Sequence, residues 1–423
     1  MIRAGVAIVD ITPPPGLAMS GFAARTLPAR GAHDALTARA MVVGDTALVV
    51  ADVIGIDAAT SARIRQRCVL PADNVVVAAL HNHGGPVSMA GRLSVAADPT
   101  YLERLEDACI AAIDKAAAAR RPATVTVGQG SDPGIARNRR HPGGPVDTSL
   151  PHLRIRAADG SMIAVVTAYA CHPVVLAADN LLWTADYPHF VRQALEEAYP
   201  GAVALFMTGC VGDANTGHSA HASISLAENP DRSFAAAERI GRAVAEAALG
   251  AAEHPVSETS SARNGTVSLV FARRETEAPD FLENRWREEA LNAEPARKSL
   301  LGYWADWARD IAPLKPEPLA ARVTVLDWGG VPIVSLPGEI FAETALTIRT
   351  SLGADKPAFV IGFADDNPGY IPPANEFQFG GYEIDEAHRY YGMAATFAPG
   401  SAETLAACAI RLASETSGGR GAA

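Results

Sequence analysis

The chain has few cysteines, no excess of basic residues and no long apolar segment. Its 5 cysteines are widely scattered and form no Cys-X-X-Cys pair, which favours a reducing compartment over a disulfide-stabilised fold. A net charge of −11 argues against a nucleic-acid partner, because nucleic acid requires a concentrated basic surface. The sequence shows neither a secretory signal at its start nor an apolar run of about 18 residues that could span a bilayer. We therefore expect a cytoplasmic protein that binds neither nucleic acid nor membrane.

Several catalytic signatures are also missing from the sequence. It has no GxSxG segment and no HExxH segment, so neither the serine-nucleophile template of α/β-hydrolases nor the zincin template applies. A P-loop and a GxGxxG segment after a strand are absent as well, which argues against a nucleotide-binding enzyme.

Short apolar runs rich in β-branched residues predict buried strands, and helical patterns separate several of them. The runs are residues 47–56, 75–80, 162–170, 203–209, 331–336 and 357–364. Thr100 and Glu103 have the spacing of a capping box and predict the start of one helix. A second helix is expected to begin near Pro188, and a third to end at Gly250. This alternation is typical of the α/β class, so we expect mixed, mostly parallel sheets flanked by helices.

The composition along the chain predicts one catalytic domain over residues 1–412. Within it, residues 274–319 are charged, helix-prone and contain three tryptophans, and they are expected to form a helical insertion. The polar, glycine-rich residues 413–423 predict a disordered tail.

Polar residues follow the ends of five predicted strands. In chain order they are His81 with His83, His172 after Cys171, Asp213, Glu339 and Tyr370. Loops converge beyond the carboxyl ends of strands in α/β sheets, and ligands bind there. His81 and His83 are two residues apart, so on a strand both side chains would point to one face. The sequence therefore predicts a site at the carboxyl ends of the strands.

Each of these residues also has a structural explanation. A single histidine at a strand end is more often structural than catalytic, and Glu339 could simply precede a helix. Asp186 is well placed to cap the helix that begins near Pro188. Asp213 and Asn215 could stabilise a turn, and the cysteines could be packed thiols.

The combination of histidines and a carboxylate at the strand ends indicates a metal site. Two histidines from different strands and one carboxylate form the ligand set of catalytic zinc, with a position open for water. Zinc lowers the pKa of bound water to about 7 and polarises a carbonyl group. Such a site hydrolyses amides or esters without a serine or cysteine nucleophile.

Taken in order, these motifs resemble the N-terminal catalytic domain of the neutral/alkaline, non-lysosomal ceramidase family. "HNHGGP" is similar to the family's His-Thr-His-Ser-Gly-Pro, "ACHPVV" to its Thr-His-Pro, and "TADYPH" to its Ser-Gly-Asp segment. "LPGEI" resembles its late Pro-Gly/Ala-Glu. "DDNPGYIPPANEFQFGGYE" resembles its Gly-Tyr segment, in which a second tyrosine follows twelve positions after the first. The opening segment "AGVAIVDITPPPGLAMSGFAAR" is also similar.

The resemblance implies a role for each matching residue. It implies that Zn²⁺ is held by His81, His172, Glu339 and Tyr370. His83 would then lie beside the zinc-held water, and Tyr382 would hydrogen-bond the oxyanion formed during hydrolysis. Arg139 would assist from the other side, although Arg137 and Arg140 remain alternatives at this point.

The sequence departs from the family in three ways. Its segment "GCVGDANTG" lacks the serine of the family's Gly-Asp-Val-Ser-Pro-Asn, which favours zinc-activated water over a serine nucleophile. The family's C-terminal immunoglobulin-like domain and secretory signal are not found either. We therefore expect a small soluble amide as the substrate and not ceramide itself.

The leading hypothesis is a zinc-dependent hydrolase that cleaves a carbon–nitrogen (amide) bond, with His83 or Asp213 protonating the leaving amine. A zinc-dependent lactonase or esterase is the first alternative, because the same site would serve an ester bond. A metal-binding protein without catalysis is the second alternative. It would have no use for Tyr382 and Arg139 beside the metal. The sequence leaves open whether the chain forms a homo-oligomer.

Overall fold

Strands and helices alternate along the chain, and a computed structural model describes them over residues 1–93, 97–220, 229–353 and 356–417. The first strands are β1 (Ile2–Asp10), β2 (Gly31–Ala32), β3 (Thr37–Val43), β4 (Thr46–Ala51), β5 (Val75–Ala79), β6 (Arg121–Gly130), β7 (Arg137–Asn138), β8 (Leu150–Ala157), β9 (Met162–Tyr169), β10 (Leu182–Trp183) and β11 (Val203–Thr208). The later strands are β12 (Ala214–Asn215), β13 (His254–Pro255), β14 (Ser260–Leu269), β15 (Phe271–Ala272), β16 (Leu319–Trp328), β17 (Val331–Ser335), β18 (Glu339–Ile340), β19 (Phe359–Ile361), β20 (Tyr370–Ile371) and β21 (Thr396–Phe397). The α-helices are α1 (Ala58–Arg67), α2 (Pro99–Ala118), α3 (Tyr187–Ala198), α4 (Phe234–Leu249), α5 (Pro279–Leu291), α6 (Pro295–Asp310), α7 (Ala342–Leu352), α8 (Ala387–Tyr390) and α9 (Ser401–Ser417).

The larger sheet has nine strands, in the order β11-β9-β8-β6-β1-β3-β4-β5 with β13 paired to β6. The pairs β9–β11 and β4–β5 at its two ends are parallel, and the pairs between them are antiparallel. The predicted α/β class with mixed sheets is confirmed. Antiparallel pairs are, however, more numerous than the sequence led us to expect. The reason is that short connections, such as residues 44–45 between β3 and β4, join consecutive strands directly.

Helices cover both faces of this sheet, which explains why its strands are almost continuously apolar. Along β4, Leu48 and Val50 point into the core beneath α3 and α4, whereas Val49 and Ala51 point into the core beneath α2. The alternation follows from the two-residue period of a strand. Helices α1 and α2 pack on one face and α3 and α4 on the other.

The second sheet has the order β14-β16-β17-β19, and α7 and α9 pack against it. The segment 274–319 contains α5 and α6, which pack against each other. The tail predicted at 413–423 begins inside α9, which continues to Ser417, and residues 418–423 lie outside the described residues. Among the helices of the described ranges, none is both long and apolar enough to cross a membrane.

The segment after β19 connects the two sheets. Phe363 accepts a hydrogen bond from the backbone N–H of Ala79 at 3.1 Å, beside the end of β5, and the N–H of Gly362 donates to the carbonyl of Thr208 at 3.2 Å, at the end of β11. Strand β11 also lies against β4 and β5, so the large sheet curls until its two ends approach each other. The carboxyl ends of β5, β11 and β19 are therefore neighbours in space.

Helix α2 begins two residues earlier than the predicted capping box. Its N-cap is Asp98, whose carboxylate accepts a hydrogen bond from the backbone N–H of Tyr101 at 2.8 Å. Pro99 occupies the first helical position, which suits proline because that N–H needs no partner. The capping role predicted for Thr100 is therefore wrong. The predicted helix end at Gly250 is confirmed, since Gly250 is the C-cap of α4.

Replacing Asp98 with alanine is expected to lower the free energy of unfolding by about 1 kcal/mol, because the first turn of α2 loses its side-chain cap. Thr100→Ala is the matched control and is expected to have a smaller effect. Equilibrium denaturation in urea measures both changes. A larger loss for Thr100→Ala than for Asp98→Ala would contradict the assignment.

Candidate metal centre and active site

His81 and His83 lie beyond the end of β5 rather than on the strand, because β5 ends at Ala79. His81 has a backbone φ of 64°, in the left-handed region that a non-glycine residue rarely adopts. Its ring stacks on Phe363, with ring centroids 3.9 Å apart. The two histidines thus reach one site through this turn, and not through strand alternation as the sequence suggested.

The rings of His81 and His172 meet with their Nε2 atoms 2.9 Å apart. The Nδ1 of His81 donates to the carbonyl oxygen of Ile54 at 2.7 Å, and the Nδ1 of His172 donates to that of Val211 at 2.9 Å. Burial lowers the pKa of His81 to about 3 and lowers that of His172 well below its usual value. A neutral imidazole has one N–H, so both Nε2 atoms carry lone pairs that face each other. Such an arrangement fits two ligands of a cation.

Glu339 completes this arrangement from β18, which pairs with β20 in a separate two-stranded sheet. Its Oε2 lies 3.3 Å from Nε2 of His172 and 3.6 Å from Nε2 of His81. The side chain is 2% exposed, and Oε2 has no hydrogen-bond partner among the described residues. Burial raises the pKa of this carboxyl to about 7, and the hydrogen bond from Tyr391 acts in the opposite direction. A buried polar atom without a partner is rare, and here it points at two lone pairs.

His83 adds a third imidazole. Ligand atoms of His81, His83 and His172 all lie within 4.8 Å of one another. Both ring nitrogens of His83 are buried without a hydrogen-bond partner in the described part of the chain. The ring packs against Phe22, and a Cβ on Gly21 would lie 2.5 Å from it, so Gly21 makes room for His83. Three imidazoles and a carboxylate are donors that zinc prefers, and the cluster is compatible with a metal site.

Tyr370 lies beside Glu339 because β18 and β20 pair in parallel, with these two residues as partners. Its hydroxyl accepts a hydrogen bond from Nη2 of Arg139 at 2.9 Å. Burial raises the pKa of Tyr370 well above its usual value, and the charge of Arg139 acts in the opposite direction. The structure places Tyr370 next to the candidate ligands, and its role as a ligand stays a prediction.

The three arginines of the basic loop have different surroundings. Arg139 lines the cavity beside the histidines, and its Nε donates to Glu383 at 2.9 Å. Arg140 points away and pairs with Glu376 at 2.8 Å and with Glu383 at 2.6 Å. Arg137 is exposed and donates to the backbone. Of the three, the geometry favours Arg139 as the residue that faces the site.

Two cavities adjoin at the site. The smaller one, of about 40 Å³, is lined by the polar residues His83, Arg139, His172, Asn215, His218, Arg232, Tyr370 and Tyr382, among others. The larger one, of about 310 Å³, is lined mainly by apolar groups, including Met19, Leu27, Leu93, Leu300, Tyr303 and Tyr390. Both are bordered by Gly21, Phe22 and Tyr382. Tyr382, the first residue of a π-helical turn (Tyr382–Glu386), therefore stands between the two cavities.

Two carboxylates considered from the sequence, Asp213 and Asp186, bind backbone N–H groups at the starts of helices. Asp213 accepts hydrogen bonds from Nδ2 of Asn138 at 2.9 Å and from the backbone N–H of Ala342 at 2.8 Å, so it holds the start of α7. Asp186 caps α3 by accepting from the N–H of Tyr187 at 2.7 Å. Neither lines the two cavities. The geometry therefore does not favour Asp213 as the proton donor to a leaving amine.

Sequence reasoning missed several groups at the site. The hydroxyl of Tyr391 donates to Oε1 of Glu339, and His218 lines the smaller cavity. The carbonyls of Ile54 and Val211 fix the two imidazoles. A backbone carbonyl has no sequence signal, and nothing in the spacing of Tyr391 distinguishes it from a core tyrosine.

Comparisons with known proteins support the fold and the family. The chain is similar in fold to a neutral ceramidase from Pseudomonas aeruginosa, with a TM-score of 0.76 and 18% identity, over 97% of this chain and 74% of that one. It is also similar to a ceramidase complexed with C2, with a TM-score of 0.74 and 16% identity, over 98% of this chain and 75% of that one. No curated protein matches the chain. The sequence profile of the neutral/alkaline non-lysosomal ceramidase N-terminal region matches residues 2–217, about half of the chain, and the protein therefore belongs to this family.

Proposed function

We propose that the protein is a zinc-dependent hydrolase that cleaves a carbon–nitrogen (amide) bond. Its family supports a hydrolase that acts on an amide bond. The observation that carries the zinc assignment is the convergence of two imidazole lone pairs with the unbonded Oε2 of Glu339. His81, His172 and Glu339 would hold the ion, with Tyr370 beside them. A bound zinc ion would lower the pKa of a water molecule and polarise the carbonyl of the substrate.

The protein's own groups provide the proton transfers. The ring nitrogens of His83 are buried, which lowers its pKa well below its usual value, so the ring is neutral and one nitrogen can accept a proton. During hydrolysis, the oxygen of water bonds to the carbonyl carbon and one proton of the water passes to His83. The carbon–nitrogen bond then breaks, its electron pair leaves with the nitrogen, and the His83 imidazolium returns the proton to that nitrogen.

Arg139 and Tyr382 would stabilise the oxyanion that forms when the carbonyl carbon becomes tetrahedral. Both line the smaller cavity, beside His83 and His172. Arg139 is fixed by hydrogen bonds to Glu383 and Tyr370 at 2.9 Å each, so its guanidinium is held in place before the substrate binds. Donors that are already in place when charge develops are worth about 3–4 kcal/mol each.

The larger cavity indicates what the substrate carries. Its volume of about 310 Å³ is at the lower end of the range for small-molecule sites, and its lining is mainly apolar. It opens beside Tyr382, where the reacting bond would lie. We infer a small amide with an apolar group of moderate size on one side of the bond.

The proposal is tested with metal-stripped protein, with and without added zinc, on N-acyl amides of increasing chain length and on matched esters and lactones. We expect hydrolysis of the amides that requires zinc and rises with chain length until the cavity is filled. Hydrolysis of esters or lactones alone would instead support the lactonase or esterase alternative. Zinc binding without hydrolysis of any substrate would support a metal-binding protein.

A further inference from the structure

We propose that Tyr391 is a positioning residue for the metal site, because its hydroxyl holds one oxygen of Glu339 and leaves the other directed at the two histidines. This inference rests on the proposed zinc site. Tyr391 lies outside the set of residues that the family resemblance implies, and it contacts none of the histidine ligands by hydrogen bond in the described chain.

The two oxygens of Glu339 have different surroundings. Oε1 accepts a hydrogen bond from the Tyr391 hydroxyl. Oε2 has no hydrogen-bond partner among the described residues and lies 3.3 Å from Nε2 of His172. A carboxylate that rotates freely could present either oxygen, or both, to a cation. The hydrogen bond to Oε1 selects one orientation, in which Oε2 alone faces the histidines.

Tyr391 itself is held firmly. Its side chain is 1% exposed and packs in a small cluster with Phe341, Tyr370 and Ala387. Gly369 has a φ of 106°, and a Cβ there would lie 2.9 Å from the Tyr391 ring. The ring therefore occupies space that only a glycine leaves open. Because the phenol is fixed by packing, it can fix the carboxylate in turn.

Hydrogen bonds to metal ligands orient those ligands, and their removal weakens metal binding by about 10- to 100-fold. We therefore expect Tyr391→Phe to raise the Kd for zinc within that range while the protein stays folded. The measurement is a competition titration of metal-free protein with zinc and a chromophoric chelator. Tyr169→Phe is the matched control, because it removes another buried phenol, which bonds to Ala136 and Asp132 away from Glu339.

A double-mutant cycle separates positioning from a general effect on folding. If Tyr391 acts through Glu339, Tyr391→Phe lowers zinc affinity in the natural protein and has little further effect in Glu339→Asp, whose shorter side chain keeps a carboxylate donor but withdraws it from the Tyr391 hydroxyl. An equal effect in both backgrounds, or a loss of zinc affinity no larger than that of Tyr169→Phe, would overturn the role of Tyr391 and leave the proposed zinc site intact. If the natural protein binds no zinc in this titration, the inference fails together with the proposed function.

Discussion

Replacing His81 with alanine is expected to reduce the zinc content from about one ion per chain to near zero and to abolish hydrolysis. His81 offers a lone pair on Nε2, and its Nδ1 donates to Ile54 at 2.7 Å, which fixes both the tautomer and the ring orientation. Removing the ring takes away one of the three proposed zinc donors and leaves His172 and Glu339.

The measurement is metal content by inductively coupled plasma mass spectrometry, on protein purified without added metal. His81→Gln is measured alongside, since it keeps much of the side-chain volume against Phe363 and tests whether a loss of metal follows from misfolding. His254→Ala, at an exposed histidine on β13, is the control and should retain zinc. If the natural protein takes up no zinc even when it is supplied, the zinc mechanism is wrong and these histidines are structural.

The apolar runs predicted the strands around the site because strands that are buried on both faces have a strong sequence signal. The runs 75–80, 162–170 and 203–209 correspond to β5, β9 and β11, each to within two residues at its ends. The excess of antiparallel pairs was not predicted, since a buried antiparallel strand between helices loses the alternation that distinguishes it. Here the sequence indicates which strands are buried and says little about whether neighbouring strands run parallel or antiparallel.

The candidate site was predicted as a set of residues, but its geometry was not. His81, His172 and Glu339 come from distant parts of the chain, and they meet because the large sheet curls and the segment after β19 joins both sheets. That closure depends on packing across the whole fold. Asp213 shows the opposite case, since its position after β11 resembled that of the site residues. The structure places its carboxylate against the start of α7 instead.

The sequence left open which arginine of "ARNRRHPGG" faces the site. Arg137 is exposed, whereas the side chains of Arg139 and Arg140 are both buried, and of these two Arg139 lines the smaller cavity. Arg139 and Arg140 both make ion pairs with Glu383, which itself is 3% exposed. Two buried cations around one carboxylate hold the loop against the π-helical turn that carries Tyr382. A single sequence cannot show that pairing, because Glu383 lies more than two hundred residues further along the chain.

Arg139→Gln is expected to lower kcat by about 10²- to 10³-fold with zinc content unchanged, because it removes a charged donor to the oxyanion. Arg139 also pairs with Glu383 and Tyr370, so the variant is expected to lose stability as well. Tyr382→Phe serves as the second variant, since it removes a hydroxyl without removing a buried charge. We expect it to lower kcat in the same direction with little change in stability.

Arg137→Gln is the matched control for Arg139→Gln, because Arg137 belongs to the same basic loop but is exposed. It is expected to leave kcat, KM and zinc content unchanged. Steady-state kinetics on the best amide, metal analysis and thermal unfolding of each variant separate loss of catalysis from loss of metal or fold. Equal losses in the Arg137 and Arg139 variants would assign the effect to the charge of the loop. Full activity in both Arg139→Gln and Tyr382→Phe would show that neither residue stabilises the oxyanion.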